Sequence, residues 1–258
     1  MPPSVASIFV APVKGMALSR REEVRVEQFG VPDDRRFHVI GEDGRLLNGK
    51  QLAPLVQIAA DWDEQTSELT LTFPGGNIVA GKIALGDTVA TSFYGKRQVE
   101  GRFVEGPFSE ALSSFVDRPL RLVHADEPAA ATDRGRGIVT VLSTASLEAI
   151  REAAGLADPI DARRFRMLFG VEGIGPHEED TWLGRRVQIG EVELDMRGNV
   201  GRCLVTSRHP ESGARNLPTL DVLAAYRAGI ETTEALPFGV WGTVVRPGTV
   251  RLGDPVVA

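Results

Sequence analysis

Short segments in which apolar and polar residues alternate dominate the first half of the chain. Residues 22–30, EEVRVEQFG, alternate with a period of two, and residues 67–73, SELTLTF, repeat the pattern. A period of two places every second side chain on the same face of a β-strand. Asp43-Gly44 is a sequence typical of a tight hairpin turn. The pattern therefore predicts short strands that are separated by turns.

Helical spacing of apolar residues is confined to three segments. Each begins near a residue that favours an N-cap or ends near a glycine, as helices commonly do. The predicted helices are 109–116 with Ser109 as the N-cap, 144–154 with Ser143 or Thr144 as the N-cap, and 217–228 with Gly229 ending it.

The second half of the chain returns to strand patterns, which predict strands within residues 137–143, 162–173, 185–198 and 238–258. Many short strands and few helices are typical of a barrel-type β fold. The predicted fold class is mainly β with a few helices. A polar, alanine-rich stretch that ends at Gly137 marks a soft change in composition, and we place two domains at residues 1–118 and 119–258.

The composition excludes several classes of function. A net charge of −6 and a pI near 5.4 argue against a nucleic-acid-binding protein, which usually carries a basic face. One cysteine excludes an internal disulfide, and four scattered histidines make a histidine-built metal site improbable. Without a signal sequence or an apolar run of membrane-spanning length, the expectation is a cytoplasmic protein that binds neither nucleic acid nor membrane.

That one cysteine, Cys203, lies in RGNVGRCLVTSRHPESG, residues 197–213. A lone cysteine is often a small buried hydrophobe, but a thiolate is also a nucleophile and a soft metal ligand. In a regular strand Arg202 and Cys203 point to opposite faces. The two side chains can share one site if Gly198 or Gly201 interrupts the strand. The alternative is that Arg202 contacts another side of the site.

Basic residues form several clusters in this acidic chain. Arg164 and Arg166 share one face if ARRFRML is a strand, and two guanidiniums on one face favour an anion, although a solvated basic edge is an alternative. Other basic groups occur in the turn at Lys14-Gly15, in DDRRF, which contains Arg35 and Arg36, and in the loop DRGRG, which begins at Asp133. Each of these is by itself explained equally well by solvent exposure.

Taken in order, six stretches resemble the MOSC family, in the branch that contains the mitochondrial amidoxime-reducing component. They are APVKG, DDRRF, VLSTASL, RRFR, GRCLVTSRHPESG and RPGTVRLGDPV. The resemblance extends from about residue 7 to residue 257. It implies an N-terminal MOSC-associated β domain followed by a MOSC β-barrel domain, with a molybdenum cofactor in the groove between them.

The resemblance also implies roles for individual residues. Cys203 matches the cysteine that ligates molybdenum, and Asp133 is a candidate catalytic acid. The residues expected to bind the cofactor are Lys14, Gly15, Arg35, Arg36, Ser143, Arg164, Arg166 and Arg202. Three stretches depart from the family pattern: Gly15 replaces a serine, Met167-Leu168 replace a Pro-Asn pair, and DRGRG stands where relatives carry a short Asp-containing segment.

The implied activity is the reduction of N-hydroxylated compounds, namely amidoximes, hydroxylamines and N-hydroxylated bases. Electrons are expected from a separate ferredoxin-, flavodoxin- or cytochrome-type protein, because the chain has no further cysteines for a cluster of its own. Two alternatives stay open. Cys203 carries sulfur as a persulfide in a sulfur transferase, or the protein binds and delivers the cofactor without turnover.

Overall fold

The structure, a computed structural model, describes residues 2–258, and most of its regular elements are β-strands. The strands are β1 (Ser4–Val10), β2 (Ser19–Arg20), β3 (Glu23–Val26), β4 (Phe37–Ile40), β5 (Leu46–Leu47), β6 (Ala59–Asp63), β7 (Glu68–Thr72), β8 (Ile78–Lys82), β9 (Ala84–Phe93), β10 (Arg97–Glu105), β11 (Arg121–Ala125), β12 (Ile138–Ser143), β13 (Phe169–Glu172), β14 (Arg186–Ile189), β15 (Val192–Gly201), β16 (Pro237–Arg246), β17 (Gly248–Arg251) and β18 (Val256–Val257). The helices are α1 (Phe108–Val116), α2 (Thr144–Ala153) and α3 (Thr219–Tyr226), with short 3₁₀ helices at Ala53–Gln57, Ala162–Phe165, Glu178–Trp182 and Leu204–Ser207. The predicted fold class, mainly β with a few helices, is confirmed.

The larger sheet forms most of the C-terminal half of the molecule. Its strand order within residues 2–258 is β18-β14-β15-β16-β12-β13-β1-β2. β12 and β13 run parallel, and α2 lies in the crossover between them, as parallel neighbours require. Register shifts in β1 and β15 mark bulges, which increase the local twist and help the sheet to curl. Aliphatic side chains fill the inside of the curled sheet.

The N-terminal half has its own core. A sheet of order β5-β4-β11-β10-β9 and an antiparallel group of order β6-β7-β8 enclose it, and α1 contacts β10 and β11. Phe37, Trp62 and Phe108 are buried there, and the rings of Phe37 and Trp62 meet edge to face with centroids 5.0 Å apart. Large aromatic side chains give this half the buried apolar area that its short strands need.

Strands cross between the two halves. β1 pairs with β13 in the C-terminal sheet, and β3 pairs with β17 in a separate two-stranded sheet that packs on the same core, so the first strands of the chain belong to the C-terminal half. β11, which lies beyond residue 118, pairs with β4 and β10 in the N-terminal sheet. The division at residues 118 and 119 stays a prediction. The crossing strands bring the loop after β1 and the loop before β4 to the junction of the two halves.

The predicted strand over residues 162–173 is wrong in its first half. Residues Ala162–Phe165 form a 3₁₀ helix, and Arg166 follows in the left-handed region with a φ of 54°. The Asp161 side chain accepts a hydrogen bond from the Arg163 backbone N–H at 2.9 Å, which satisfies the start of this helical turn. A local side-chain-to-backbone bond therefore outweighs the alternating pattern. Arg164 and Arg166 do not share the face of a strand.

The predicted helices are present with adjusted ends. α1 begins at Phe108 after Pro107, and Ser109 is not its cap, because the Ser109 hydroxyl accepts from the Leu122 N–H at 3.0 Å. α2 begins as predicted after Ser143, whose hydroxyl accepts from the Ala145 N–H. α3 is shorter than predicted. No helix within residues 2–258 is long and apolar enough to cross a membrane.

Candidate functional site

The loop after β1 and the loop before β4 are held together by backbone hydrogen bonds. The Lys14 N–H donates to the Phe37 carbonyl and the Arg35 N–H donates to the Ala11 carbonyl, each at 2.8 Å. Lys14 and Arg35, which are distant in sequence, therefore lie on the same side of the junction between the two halves.

Arg166 is the third cationic residue at this junction. The Arg35 guanidinium donates from Nη2 to the Arg166 carbonyl at 3.2 Å and also pairs with the Asp34 carboxylate. Burial lowers the pKa of Lys14, and the positive charges of Arg35 and Arg166 lower it further, against the opposing effect of Asp133. Three cationic side chains from three separate loops are thus close enough to repel one another.

Asp133 supplies the anionic partner at the rim of this cluster. Its Oδ1 lies 2.6 Å from Lys14 Nζ and accepts from the Tyr94 hydroxyl at 3.0 Å. Burial alone would raise the pKa of Asp133, but Lys14, Tyr94 and Arg35 together hold it below its usual range. An ionised carboxylate has no proton to donate, so this geometry does not favour the predicted acid role.

The Arg166 guanidinium can bind an anion, because the described part of the protein leaves one of its nitrogens without a hydrogen-bond partner. Its Nη2 is buried and has no hydrogen-bond partner among residues 2–258. Burial, followed by the charge of Arg35, lowers the pKa of Arg166 to about 10, while negative charge at Asp34, Asp133 and Cys203 opposes this shift. A buried guanidinium nitrogen without a partner carries a cost on the order of 1–3 kcal/mol, which a bound phosphate or pterin oxygen would offset.

Gly15 shapes the backbone beside Lys14. Its φ is 87°, and a Cβ at this position would lie 2.8 Å from the Asn48 Cβ and 2.9 Å from the Gly49 N. The position therefore requires glycine both for conformation and for space. The loop after β1 packs directly on residues 48–49, so the departure from serine at this position has a structural cause.

Three residues of the site have a strained, left-handed backbone. Eight non-glycine residues in the described part of the chain have positive φ, and Arg35, Tyr94 and Arg166 are three of them. Each such residue costs about 1 kcal/mol or more and persists only where the surrounding structure fixes it. A hydrogen bond links Arg35 to Arg166. Tyr94 bonds to Asp133, the ion-pair partner of Lys14, so polar contacts accompany all three strained conformations.

Cys203 follows the end of β15, and its side chain is exposed. Exposure contradicts the alternative that Cys203 is a small buried hydrophobe. Arg166 and Val205, which lies two residues after Cys203, line the same cavity, so the turn that follows Cys203 lies next to Arg166. The cysteine therefore belongs to the same site as the cationic cluster.

The Arg202 side chain contacts another side of the site. This is the second of the two alternatives considered for Arg202 and Cys203. Its Nε donates to the Phe238 carbonyl and its Nη1 donates to the Phe165 carbonyl, both at 2.8 Å. Burial, followed by the charge of Arg134, lowers the pKa of Arg202 to about 9. The Arg202 side chain therefore links β16 to the turn that carries Arg166 and helps to fix the position of that turn.

Three residues expected to bind the cofactor are directed elsewhere. Arg36 donates to the Ala125 carbonyl at 3.1 Å, because the left-handed turn at Arg35 separates the directions of the two arginines. Arg164 donates to the Arg208 carbonyl at 2.8 Å and to Asn216 Oδ1 at 2.7 Å. Ser143 caps α2. All three have structural partners, so the structure does not bring them to the cluster of Lys14, Arg35, Arg166 and Cys203.

Tyr94 and Asn48 belong to the site and were not predicted. Asn48 Nδ2 donates to the Tyr94 hydroxyl at 3.2 Å, and that hydroxyl donates to Asp133. Burial, followed by the charge of Asp133, raises the pKa of Tyr94 above its usual value, so the phenol keeps its proton. The one signal in the sequence is an aromatic residue directly before Gly95 in a hairpin turn, where small polar residues are usual.

Comparison with known proteins gives two family matches and several relatives. Residues 3–119 match the MOSC N-terminal beta barrel domain, and residues 133–257 match the MOSC domain. The chain is 28% identical to mitochondrial amidoxime-reducing component 1 of Mus musculus, with 98% of this chain and 81% of that protein covered. It is 31% identical to mitochondrial amidoxime reducing component 2 of Rattus norvegicus, with 98% and 82% covered. A molybdenum cofactor sulfurase of Caenorhabditis elegans is 22% identical over 93% of this chain and 33% of its own length.

Proposed function

Because this chain belongs to the MOSC family, as a MOSC N-terminal beta barrel domain followed by a MOSC domain, we propose that it binds the molybdenum cofactor and reduces N-hydroxylated compounds. The relatives named amidoxime-reducing components support this choice of reaction. A cytoplasmic location stays a prediction, since the names of these relatives include the word mitochondrial.

The observation that carries the proposal is the unpartnered Arg166 Nη2, whose residue lines one cavity together with Val205, two residues after the exposed Cys203. Lys14, Arg35 and Arg166 form a cationic end that suits the phosphate of the cofactor, and the thiol suits a soft metal. No group of three or more histidine, cysteine, aspartate or glutamate side chains in residues 2–258 is arranged to hold a metal ion. A metal at Cys203 therefore has to bring its other ligands with it, as the dithiolene of this cofactor does.

The residues of the chain divide the work in this proposal. Lys14, Arg35 and Arg166 bind and orient the anionic cofactor, Cys203 is the protein ligand to the metal, and Arg202 positions the loop that carries Cys203. When bound, the cofactor supplies two-electron oxygen-atom chemistry. The net reaction of an amidoxime consumes two electrons and two protons and gives an amidine and water. The electrons come from a separate redox protein.

A persulfide carrier is the second candidate, because an exposed cysteine thiol beside cationic side chains also suits bound anionic sulfur. The two candidates differ in what they leave on the protein. A reductase carries molybdenum, whereas a carrier gains the mass of about one sulfur that reductant removes. Cofactor delivery without turnover is distinguished by full molybdenum content with no reduction of any N-hydroxylated compound.

Elemental analysis of Cys203→Ser tests the proposal. We expect near-stoichiometric molybdenum in the wild-type protein from a cofactor-competent host and a loss of most of it in the variant. Ser212→Ala is the control, because Ser212 is exposed in the turn that follows the site. Equal molybdenum in wild type and Cys203→Ser would show that Cys203 is not the ligand. Metal-free wild type with a labile sulfur on Cys203 would favour the carrier.

A further inference from the structure

Tyr94 lies at the tip of the hairpin that joins β9 and β10, and its hydroxyl reaches Asp133, the partner of Lys14. Tyr94 and Gly95 have φ values of 57° and 69°, and the Lys96 N–H donates to the Phe93 carbonyl at 3.0 Å. Two successive positive φ values are the backbone of a type I′ turn, which favours Asn, Asp or Gly at its first central position. A tyrosine there is strained, and nothing in the fold of the hairpin requires it.

The Tyr94 ring contributes little to the protein core. The residue is 49% exposed, and its hydroxyl is fixed at both sides, by Asn48 Nδ2 at 3.2 Å and by Asp133 Oδ1 at 3.0 Å. The Phe93 ring supports it edge to face, with centroids 6.2 Å apart. A strained tyrosine whose hydroxyl is fixed and whose ring is half exposed presents a rigid aromatic surface at the mouth of the site.

Asp133 complements this surface. Both of its hydrogen bonds go to Oδ1, and its Oδ2 has no protein partner among residues 2–258. The loop that carries Asp133 is held in place from two directions. Arg97 donates to the Ala130 carbonyl at 2.7 Å, and the Arg134 guanidinium lies 2.6 Å from Glu234 Oε1. A fixed carboxylate oxygen beside a fixed aromatic ring is suited to a flat group that carries N–H donors.

We infer that Tyr94 and Asp133 form the substrate-recognition element of this site. The ring stacks on the planar carbon–nitrogen group of an amidoxime, and Asp133 Oδ2 accepts from its amino group. An amidoxime carries this amino group on the carbon beside the reacting nitrogen, whereas an aliphatic hydroxylamine has neither a planar face nor a second nitrogen. The pair therefore favours amidoximes over aliphatic hydroxylamines. This inference rests on the proposed function.

The first test compares wild type, Tyr94→Leu and Tyr94→Phe with two substrates, benzamidoxime and N-cyclohexylhydroxylamine. We expect Tyr94→Leu to lower the ratio of kcat/KM for benzamidoxime over the hydroxylamine by roughly threefold to tenfold, mainly through KM. Tyr94→Phe keeps the ring and is the matched variant, with a ratio within about twofold of wild type. Equal losses for both substrates in Tyr94→Leu would overturn the inference.

The second test measures binding directly by calorimetry. Benzamidine is a planar cation, cyclohexylmethylamine is a non-planar cation, and benzamide is planar and neutral. We expect Tyr94→Leu to remove the preference for benzamidine over cyclohexylmethylamine. Asp133→Asn is expected to remove the preference for benzamidine over benzamide. A wild type without either preference would refute the recognition element.

The two tests separate the inference from the proposal on which it rests. A wild-type protein that reduces neither substrate with several electron donors contradicts the proposed reductase. Benzamidine binding that depends on Tyr94 and Asp133 would still support the recognition element in that case. Reduction of both substrates with no effect of Tyr94→Leu on their ratio contradicts the recognition element alone.

Discussion

Arg164 and Arg166, which are two residues apart, should respond in opposite ways to the same substitution. Arg164 donates at 2.8 and 2.7 Å to two protein acceptors, whereas Arg166 has a buried Nη2 with no partner in the described chain. Arg164→Gln should therefore destabilise the cofactor-free protein, and Arg166→Gln should not. Arg164 and Arg166 are thus near neighbours in sequence, but within the described chain only the Arg164 side chain is bonded to other parts of the protein.

The magnitudes follow from these contacts. Hydrogen bonds from a charged group contribute about 1.5–3 kcal/mol each, so Arg164→Gln should cost about 2–4 kcal/mol, since glutamine keeps part of one bond. Arg166→Gln removes a cation that lies near Arg35 and Lys14 and lacks a partner, so the free energy of unfolding should stay the same or rise by about 1–2 kcal/mol. Loss of the charge-assisted bond to the cofactor should weaken its retention roughly 10- to 100-fold.

Urea unfolding of protein from a cofactor-deficient host measures the first effect, and molybdenum content after dialysis of protein from a competent host measures the second. We expect Arg164→Gln to be less stable but to retain molybdenum, and Arg166→Gln to be as stable as wild type but to lose it. If Arg166→Gln is destabilised as much as Arg164→Gln, or keeps its molybdenum, the assignment of Arg166 to an anionic ligand is wrong.

Two further predictions concern Gly15 and Glu179. Gly15→Ala should lower the free energy of unfolding by about 1–3 kcal/mol in chemical denaturation, because its Cβ would lie 2.8 Å from the Asn48 Cβ at a φ of 87°; unchanged stability would contradict this close packing. Burial raises the pKa of Glu179, a fully buried residue, to about 7, against hydrogen bonds from the Ser143 N–H and the Ser146 hydroxyl. An acid with a raised folded-state pKa binds more protons when folded, so its contribution to stability is present near pH 4 and is lost as the pH rises through about 7. Between pH 5 and 8, wild type should thus lose about 2–3 kcal/mol relative to Glu179→Gln in urea unfolding, and parallel pH curves for the two would refute the shift.

The sequence predicts strands well in this protein and turns of 3₁₀ type poorly. Alternation over residues 22–30 and 67–73 corresponds to β3 and β7, because one face of each strand packs on a core. The same reasoning fails at residues 162–165, where the Asp161 side chain stabilises a helical turn. A local polar contact of this kind leaves no trace in the apolar pattern.

The candidate site was predictable where the residues lie in recognisable stretches of sequence. Lys14 contacts Asp133 and Arg35 contacts Arg166 at the junction, whereas the roles that the family resemblance implies for these residues and for Cys203 stay predictions. The choice between Arg35 and Arg36 depends on one left-handed residue, which the sequence does not reveal. Tyr94 joins the site through contacts with Asn48 and Asp133, which are distant in the chain, so local patterns could not identify it.

The strands that cross between the two halves also limit how far the protein can fold during its synthesis on the ribosome. β1 cannot pair with β13 until residue 172 has been synthesised, and β3 cannot pair with β17 until residue 251 has been synthesised. Contacts between segments that are distant in sequence make folding slow. Until they form, the unpaired edges of β1 and β3 stay exposed. The N-terminal core around Phe37 and Phe108 can form first, whereas the curled sheet closes last. The site proposed for the cofactor is therefore complete only after the strands of the C-terminal half have been synthesised.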